Sequence, residues 1–284
     1  MKKVEVAIIG AGSAGMRAYR EASKVTDSIV LIEGGEYGTT CARVGCMPSK
    51  LLIAAAEAAH AGAHADAFGI HYGDMTIDGE AVMKRVREER DRFVGFVVED
   101  VEEWPHAHRI KGYAKFKSDH VLLINDDQEI EAERVVIATG SRARMVPMFN
   151  DLGDQLITSE DVFYWNRLPD SVAVFGAGVI GLELGQALHR LGVRTTLFGK
   201  GNKVGPLTDP EVTAEAGSAF SDEYPYYPHV DLTDVKLADG RVQIDFMAEG
   251  QSHQESFEYV LAATGRVPNV ELLCLEHTSI ALDE

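Results

Sequence analysis

A chain of 284 residues, 45% apolar and 25% charged, can bury one large core or two ordinary ones. Its formal net charge of −18 excludes a basic nucleic-acid surface and a polybasic membrane anchor. Three cysteines in this length exclude a disulfide framework, and no apolar run is long enough to span a bilayer.

The apolar start, MKKVEVAIIGAGSAG, is interrupted by Glu5 and ends in a glycine turn, so it reads as a buried first strand and not as a leader. A cytoplasmic location is the expectation. The strand runs into Gly10-x-Gly12-x-x-Gly15, then a helix, then a second apolar strand, Ile29 to Ile32, closed by Glu33. This is the context a dinucleotide fingerprint requires. The first glycine makes the tight turn, the second admits a pyrophosphate and the third lets helix and strand pack closely. The helix N-terminus offers unpaired N–H groups to the phosphates, and Glu33 has the reach for a ribose hydroxyl.

Next comes CARVGCMPSK, with Cys41 and Cys46 five apart and Pro48 suited to the first turn of a helix. A thiol at a helix N-terminus is more readily ionised. Bridging the two would demand a distorted helix entry. His60 and His64 share a helix face, but no third ligand is evident, so no metal site is expected. A structural staple or two unrelated thiols are alternatives to a redox dithiol beside a cofactor, which is the preferred reading.

Helices are predicted over 47–68 and 78–104. A small β-meander should follow from Lys111, with turns at Ser118-Asp119 and Asn125-Asp126, returning through VVIATGS at 135–141. A boundary falls within 145–170, where Pro, Gly and Asp accumulate. The device then repeats. A strand precedes Gly176-x-Gly178-x-x-Gly181, a helix follows, and the next strand is Arg194 to Phe198. Here Gly199 stands where an acid would be, with Lys200 and Lys203 beside it. A carboxylate would repel a 2′-phosphate, so its absence beside cations leans toward NADP(H) over NAD(H). A second meander is predicted over 230–258, followed by YVLAATGRVPN at 259–269.

The ordered set of first fingerprint, Cys-x4-Cys-x-Pro-Ser-Lys, Ala-Thr-Gly-Ser, GVIGLELG and Ala-Thr-Gly-Arg-x-Pro-Asn resembles the pyridine nucleotide-disulfide oxidoreductases, most closely the dihydrolipoamide dehydrogenase branch. The resemblance implies an α/β chain of two Rossmann-like, doubly wound domains: an FAD domain over 1–148, an NAD(P) domain over 149–270, and a return toward the FAD domain at 271–284. It places FAD on Gly10, Gly12, Gly15, Glu33 and Thr40, on the backbone of Gly112, Tyr113 and Ala114, and on Thr139, Gly140 and Ser141. It places the nicotinamide dinucleotide on Gly176, Gly178, Val179, Gly181, Lys200 and Gly265. Cys46 would face the flavin and Cys41 would exchange with the disulfide substrate, the pair cycling through a disulfide. Lys50 would lie at the flavin with Glu183 as its partner.

The implied reaction passes electrons between NAD(P)H, FAD, the cysteine pair and a lipoyl-type or other small disulfide, in a homodimeric parent. Glutathione- or mercuric-reductase-like activity, and an idle nucleotide-binding module, are the alternatives. The family's Tyr-Ala-x-Gly-Asp and His-Pro-Thr segments do not occur, so the chain is expected to be an inactive fragment of a longer enzyme. His253, His277 and Cys274 receive no role. Arg43 departs from the asparagine usual in that branch.

Overall fold

The computed structural model describes residues 1–248 and 250–282. It divides into two compact units. One comprises Met1–Arg43, Asp91–Arg142 and Val267–Glu284; the other comprises Val44–Arg90 and Ala143–Arg266. Residues 44–90, expected with the first unit, therefore belong to the second. The chain passes between the units after Arg43, Arg90, Arg142 and Arg266.

The first unit is built on a six-stranded sheet in the order Arg109–Lys111, Ile29–Glu33, Lys2–Ile9, Gln128–Ile137, Val121–Ile124, Ala114–Ser118. The first four run parallel, and the last two continue antiparallel as the predicted meander. Its central strands read as unbroken apolar runs because both faces are covered. Ile8 and Leu31 pack with Met16 and Tyr19, the latter two on the helix Ser13–Ala22. Ala7, Ile9, Val30 and Ile32 face the other way onto Phe116, Leu122 and Leu273. The meander turns where Asn125 and Asp126 both adopt positive φ, at 49° and 65°, a conformation these residue types tolerate best.

The second unit repeats the plan with five parallel strands in the order Tyr226–Tyr227, Arg194–Phe198, Ser171–Phe175, Tyr259–Ala262, Leu156–Thr158. The wholly buried strand Ser171–Phe175 again alternates. Val172 and Val174 meet Leu184 and Leu188 of the helix Val179–Arg190, whereas Ala173 and Phe175 meet Phe246 and Phe257. Phe246 and Phe257 belong to a three-stranded antiparallel meander, Asp231–Ala238, Arg241–Ala248 and Gln251–Phe257, that covers this second face. The helix Cys46–Ala63 adds Leu52, Ala56 and Ala59 to the first. Its helical pattern was expected to reach residue 68; it closes at His64 and yields to a short turn over Ala65–Phe68.

The long helix Gly79–Glu102 looks like a solvated charge ladder in sequence. Three of its arginines instead serve as donors within the second unit. Arg85 donates to the Leu51 carbonyl at 3.2 Å, Arg87 to that of Trp165, and Arg90 to that of Phe163 at 2.9 Å. Arg90 is 7% exposed and its guanidinium also sits 4.7 Å from the Tyr164 ring centre. Arg90→Ala should lower stability by about 2–3 kcal/mol, because it leaves a buried carbonyl unpaired and removes a buried stem. Arg90→Lys should recover part of that loss. Urea midpoints for the three proteins check both statements.

Candidate dinucleotide sites and thiol pair

The two glycine turns are near copies in atomic detail. Gly10 and Gly176 adopt φ of 101° and 112°, a region costly for any side chain. Their N–H groups donate to Ile32 and Phe198, each at 2.8 Å, and so tie each turn to the neighbouring parallel strand. A Cβ on Gly10 or Gly176 would overlap the carbonyl of Ala138 or Ala263, where the central strand of each unit ends. A Cβ on Gly15 or Gly181 would overlap the carbonyl of Gly10 or Gly176, so helix and turn touch through backbone alone. The middle glycines differ in kind. A Cβ on Gly12 or Gly178 would meet nothing within 4 Å. Both are extended N-caps, at φ −73° and −77°, and neither helix has a side-chain cap. The first-turn N–H groups thus face open space that a side chain would narrow, which fits a phosphate at each helix start. Val179 is the first residue of the second helix and is exposed.

In the first unit Glu33 completes the cradle. Its two carboxylate oxygens accept from the Ala11 N–H at 2.7 Å and the Gly35 N–H at 2.8 Å. Each oxygen keeps lone pairs for ribose hydroxyls. Gly112 and Tyr113 lie alongside, though their N–H groups are committed to the Glu33 carbonyl at 3.0 Å and the Asn125 side chain at 2.9 Å. The exposed Tyr113 ring covers Gly34, where a Cβ would clash with it, and Ala114 is buried at the start of the meander. Thr139 and Gly140 form the turn after the Gln128–Ile137 strand, with Gly140 at φ 68°, and Ser141 opens the short strand Ser141–Ala143.

Sequence reasoning missed what holds that turn. The Asn269 side chain donates to the Thr139 carbonyl and its N–H donates to the Gly140 carbonyl, both at 3.0 Å. Arg142 donates to Asn269 Oδ1 at 3.1 Å and grips Glu271 through both Nη atoms, at 3.1 and 2.6 Å. That fork draws the Glu271 carboxyl down to about 2, first through the side-chain hydrogen bonds from Arg142. The signal was the Pro-Asn that closes RVPN.

In the second unit the acid's position is Gly199, where a Cβ would sit 2.8 Å from the Pro228 carbonyl oxygen and close to its backbone carbons. The missing acid therefore has a packing cause. Lys200 is exposed just beyond it, and the Gly201 N–H donates to His229 Nδ1 at 3.2 Å. Lys203 lines a cavity of about 590 Å³, with Asn202 beside it and Thr213, Ser218 and Ser221 opposite. Gly265, like Gly140, takes positive φ, at 113°, where a side chain would be disfavoured, and no neighbour lies where a Cβ would be.

The thiol segment is two helical pieces. Thr40–Val44 forms a short helix with Thr40 exposed and Cys41 half-buried, Gly45 breaks it at φ −135°, ψ −120°, and Cys46 begins the helix Cys46–Ala63. The helical path is thus interrupted between the two cysteines. Both cysteines are thiols here, so the disulfide form expected from the resemblance is not the one described, and Cys46 is exposed. Arg43 hooks back over Gly38 to donate from Nε to the Tyr37 carbonyl at 2.9 Å, which braces the loop before Cys41. Lys50, one turn along from Cys46, places Nζ 2.6 Å from Glu183 Oε1. Cys274 has a left-handed backbone, at φ 53°, and the His277 ring donates to the Phe116 carbonyl at 2.9 Å.

The family match spans residues 4–284, in the order of motifs the geometry displays. The chain belongs to the pyridine nucleotide-disulphide oxidoreductase family. Dihydrolipoyl dehydrogenase of Cupriavidus necator is 30% identical over all of this chain and 63% of its own length. That of Mycobacterium bovis is 32% identical over all of this chain and 62% of its own length. The chain thus spans about three fifths of these curated relatives. The copper(II) complex of the HOCl-induced flavoprotein disulfide reductase RclA from Escherichia coli superposes with a TM-score of 0.83 at 23% identity. It covers all of this chain and 61% of that one, and it shares the fold. Family membership implies FAD and a nicotinamide dinucleotide, and the two cradles fit two such phosphates. No helix among the described residues is long and apolar enough to cross a membrane.

The glycines separate folding from cofactor binding. Gly12→Ala should leave the unfolding free energy of the apo chain within about 1 kcal/mol of wild type while weakening FAD, since its Cβ enters only the open cradle. Gly15→Ala should cost more than about 3 kcal/mol, through overlap with the Gly10 carbonyl. Thermal melts of the apo proteins and flavin fluorescence titrations distinguish the two.

Proposed function

We propose that this chain carries the reductive relay of a dihydrolipoamide dehydrogenase-like enzyme, with FAD in the first cradle, NADPH or NADH in the second, and Cys41/Cys46 as the dithiol that exchanges with a lipoyl-type disulfide. The observation that carries the reading is the duplicated glycine turn in one chain that also bears two cysteines across a broken helix entry. One cradle alone would suit any dinucleotide protein; two cradles and a dithiol suit electron transfer between a nucleotide and a disulfide. FAD, when bound, accepts the hydride and hands on an electron pair.

The chain's own residues do the rest. Gly12 and Gly178 leave room for pyrophosphates, Glu33 holds ribose hydroxyls, and Asn269 sets the Thr139–Gly140 turn. Cys46 heads its helix and is exposed there, the thiol this reading sets beside the flavin. Glu183 holds the Lys50 ammonium to one position, so that its charge is available to stabilise an anion. Cys41 is the thiol for exchange, at a rate set by its thiolate fraction and access. Lys200, Lys203 and His229 gather donors around the Gly199 gap, which supports NADP(H) in the second cradle. A homodimeric parent and a cytoplasmic location belong to the same proposal.

Anaerobic addition of NADPH to the FAD-loaded chain should raise a long-wavelength thiolate-to-flavin band. Cys46→Ser should abolish it and Cys41→Ser should retain it. NADPH should act at lower concentration than NADH, and Lys200→Ala with Lys203→Ala should narrow that gap. A band that survives in Cys46→Ser, or flavin reduction unchanged by Gly178→Ala, would overturn the relay. An unchanged nucleotide ratio in the lysine variant would remove the NADP(H) preference alone.

A further inference from the structure

We propose that His60 and His64 form a surface chelate for one borderline divalent transition-metal cation, such as Cu(II), Ni(II) or Zn(II), separate from the dinucleotide cradles and the thiols. The two residues close the helix Cys46–Ala63, with His64 as its C-cap. Four positions apart on one helix, they present side chains on one face. Their ring centres lie 4.2 Å apart and the planes make 36°. Two imidazoles bound side by side to one ion, with metal–nitrogen distances of about 2.0–2.1 Å, place their ring centres roughly 4–5 Å apart. The pair therefore holds chelating separation before any ion arrives.

The hydrogen-bonding state of the His64 ring points the same way. His64 Nδ1 lies 2.8 Å from the His60 carbonyl oxygen. A carbonyl only accepts, so Nδ1 carries the proton and Nε2 keeps its lone pair. This is the orienting bond that metal-ligating histidines make through their second nitrogen. That leaves His64 Nε2 as its ligating nitrogen, with a ring nitrogen of His60 as the second ligand. His60 Nδ1 lies 3.8 Å from Glu223 Oε1, which sets a carboxylate beside the pair.

The surroundings accept a cation. Glu223 is gripped by Arg190, with Nη2 3.1 Å from Oε2, and by Gln186 at 2.7 Å; Glu57 also contacts Arg190. Two carboxylates against one guanidinium leave one net negative charge beside the histidines, within a chain of net charge −18. His64 is exposed and His60 half-buried, so an ion reaches the site from solvent. No group of three or more metal-ligating side chains occurs among the described residues. The remaining coordination positions belong to water, which makes the site open and reversible, unlike a four-ligand structural zinc. Imidazole pairs suit Cu(II), Ni(II) and Zn(II), with Cu(II) tightest. Binding forms two metal–nitrogen bonds to neutral imidazoles and displaces water, with no change of oxidation state.

The test is calorimetric titration of the chain with Ni(II) and with Zn(II) at neutral pH, in wild type and in a Cys41→Ser/Cys46→Ser chain that removes competing thiolates. The expected result in both is saturable binding of one ion per chain. His60→Gln and His64→Gln should each weaken it by at least about tenfold, and His71→Gln should leave it unchanged. Because both histidines lie at a helix end on the surface, circular dichroism of the variants should match wild type. Absence of one-to-one binding, or wild-type affinity retained in either single histidine variant, would overturn the proposal.

Discussion

Two backbone contacts organise this molecule: the first glycine of each fingerprint against the carbonyl that ends a parallel strand, and the third glycine against the first. Each leaves no volume for a methyl group. Sheet, turn and helix are thereby locked at a separation only bare backbone permits, and the helix start lies at the carboxyl end of the strands. Everything assigned to a cofactor depends on that placement. The unpaired N–H groups of the first helical turn carry a partial positive charge only where the chain has just turned away from the sheet. The Thr-Gly turns at 139–140 and 264–265 then border the same strand ends, because the strands that precede them pair with the fingerprint strands.

The duplication also shows where the two copies diverge. In the first, Glu33 accepts two backbone N–H groups and stays poised for hydroxyls. In the second, the approach of Pro228 excludes any side chain at 199, and donors collect around the vacated corner. The first copy thus offers acceptors at that corner, and in the NADP(H) proposal the second offers donors. In the proposed relay the thiol pair is the third redox partner. Gly45 breaks the helical path between Cys41 and Cys46, so the five-residue spacing that looked too wide for one turn becomes a property of a kinked entry.

Much of this was legible from spacing. Both fingerprints, the unbroken apolar strands and both meanders could be read from residue order, because short-range periodicity and the glycine pattern encode them directly. The Lys50–Glu183 pairing, 133 positions apart, followed only from the family resemblance. The membership of 44–90 could not be read in this way. The helix Cys46–Ala63 follows the first strand pair in sequence, yet Leu52, Ala56 and Ala59 find their apolar partners on Val172, Val174 and Leu188. Such partner choice is decided by long-range packing that no local window contains. The partners of the arginines on the helix Gly79–Glu102 were hidden for a related reason. Alternating charge implies a solvated face, but a long guanidinium can bury its stem and satisfy distant carbonyls, as Arg90 does. Asn269 was hidden because its role, bracing the Thr139–Gly140 turn, joins segments 130 positions apart.

The central claim is that nucleotide, flavin and thiols in this one chain form a single electron path. Its most direct measure is the number of electrons the FAD-loaded protein takes up in an anaerobic dithionite titration, starting from the air-oxidised form. The account predicts four per chain, two for the flavin and two for a Cys41–Cys46 disulfide, falling to two in the Cys41→Ser/Cys46→Ser protein. An endpoint of two in the wild-type chain would contradict it.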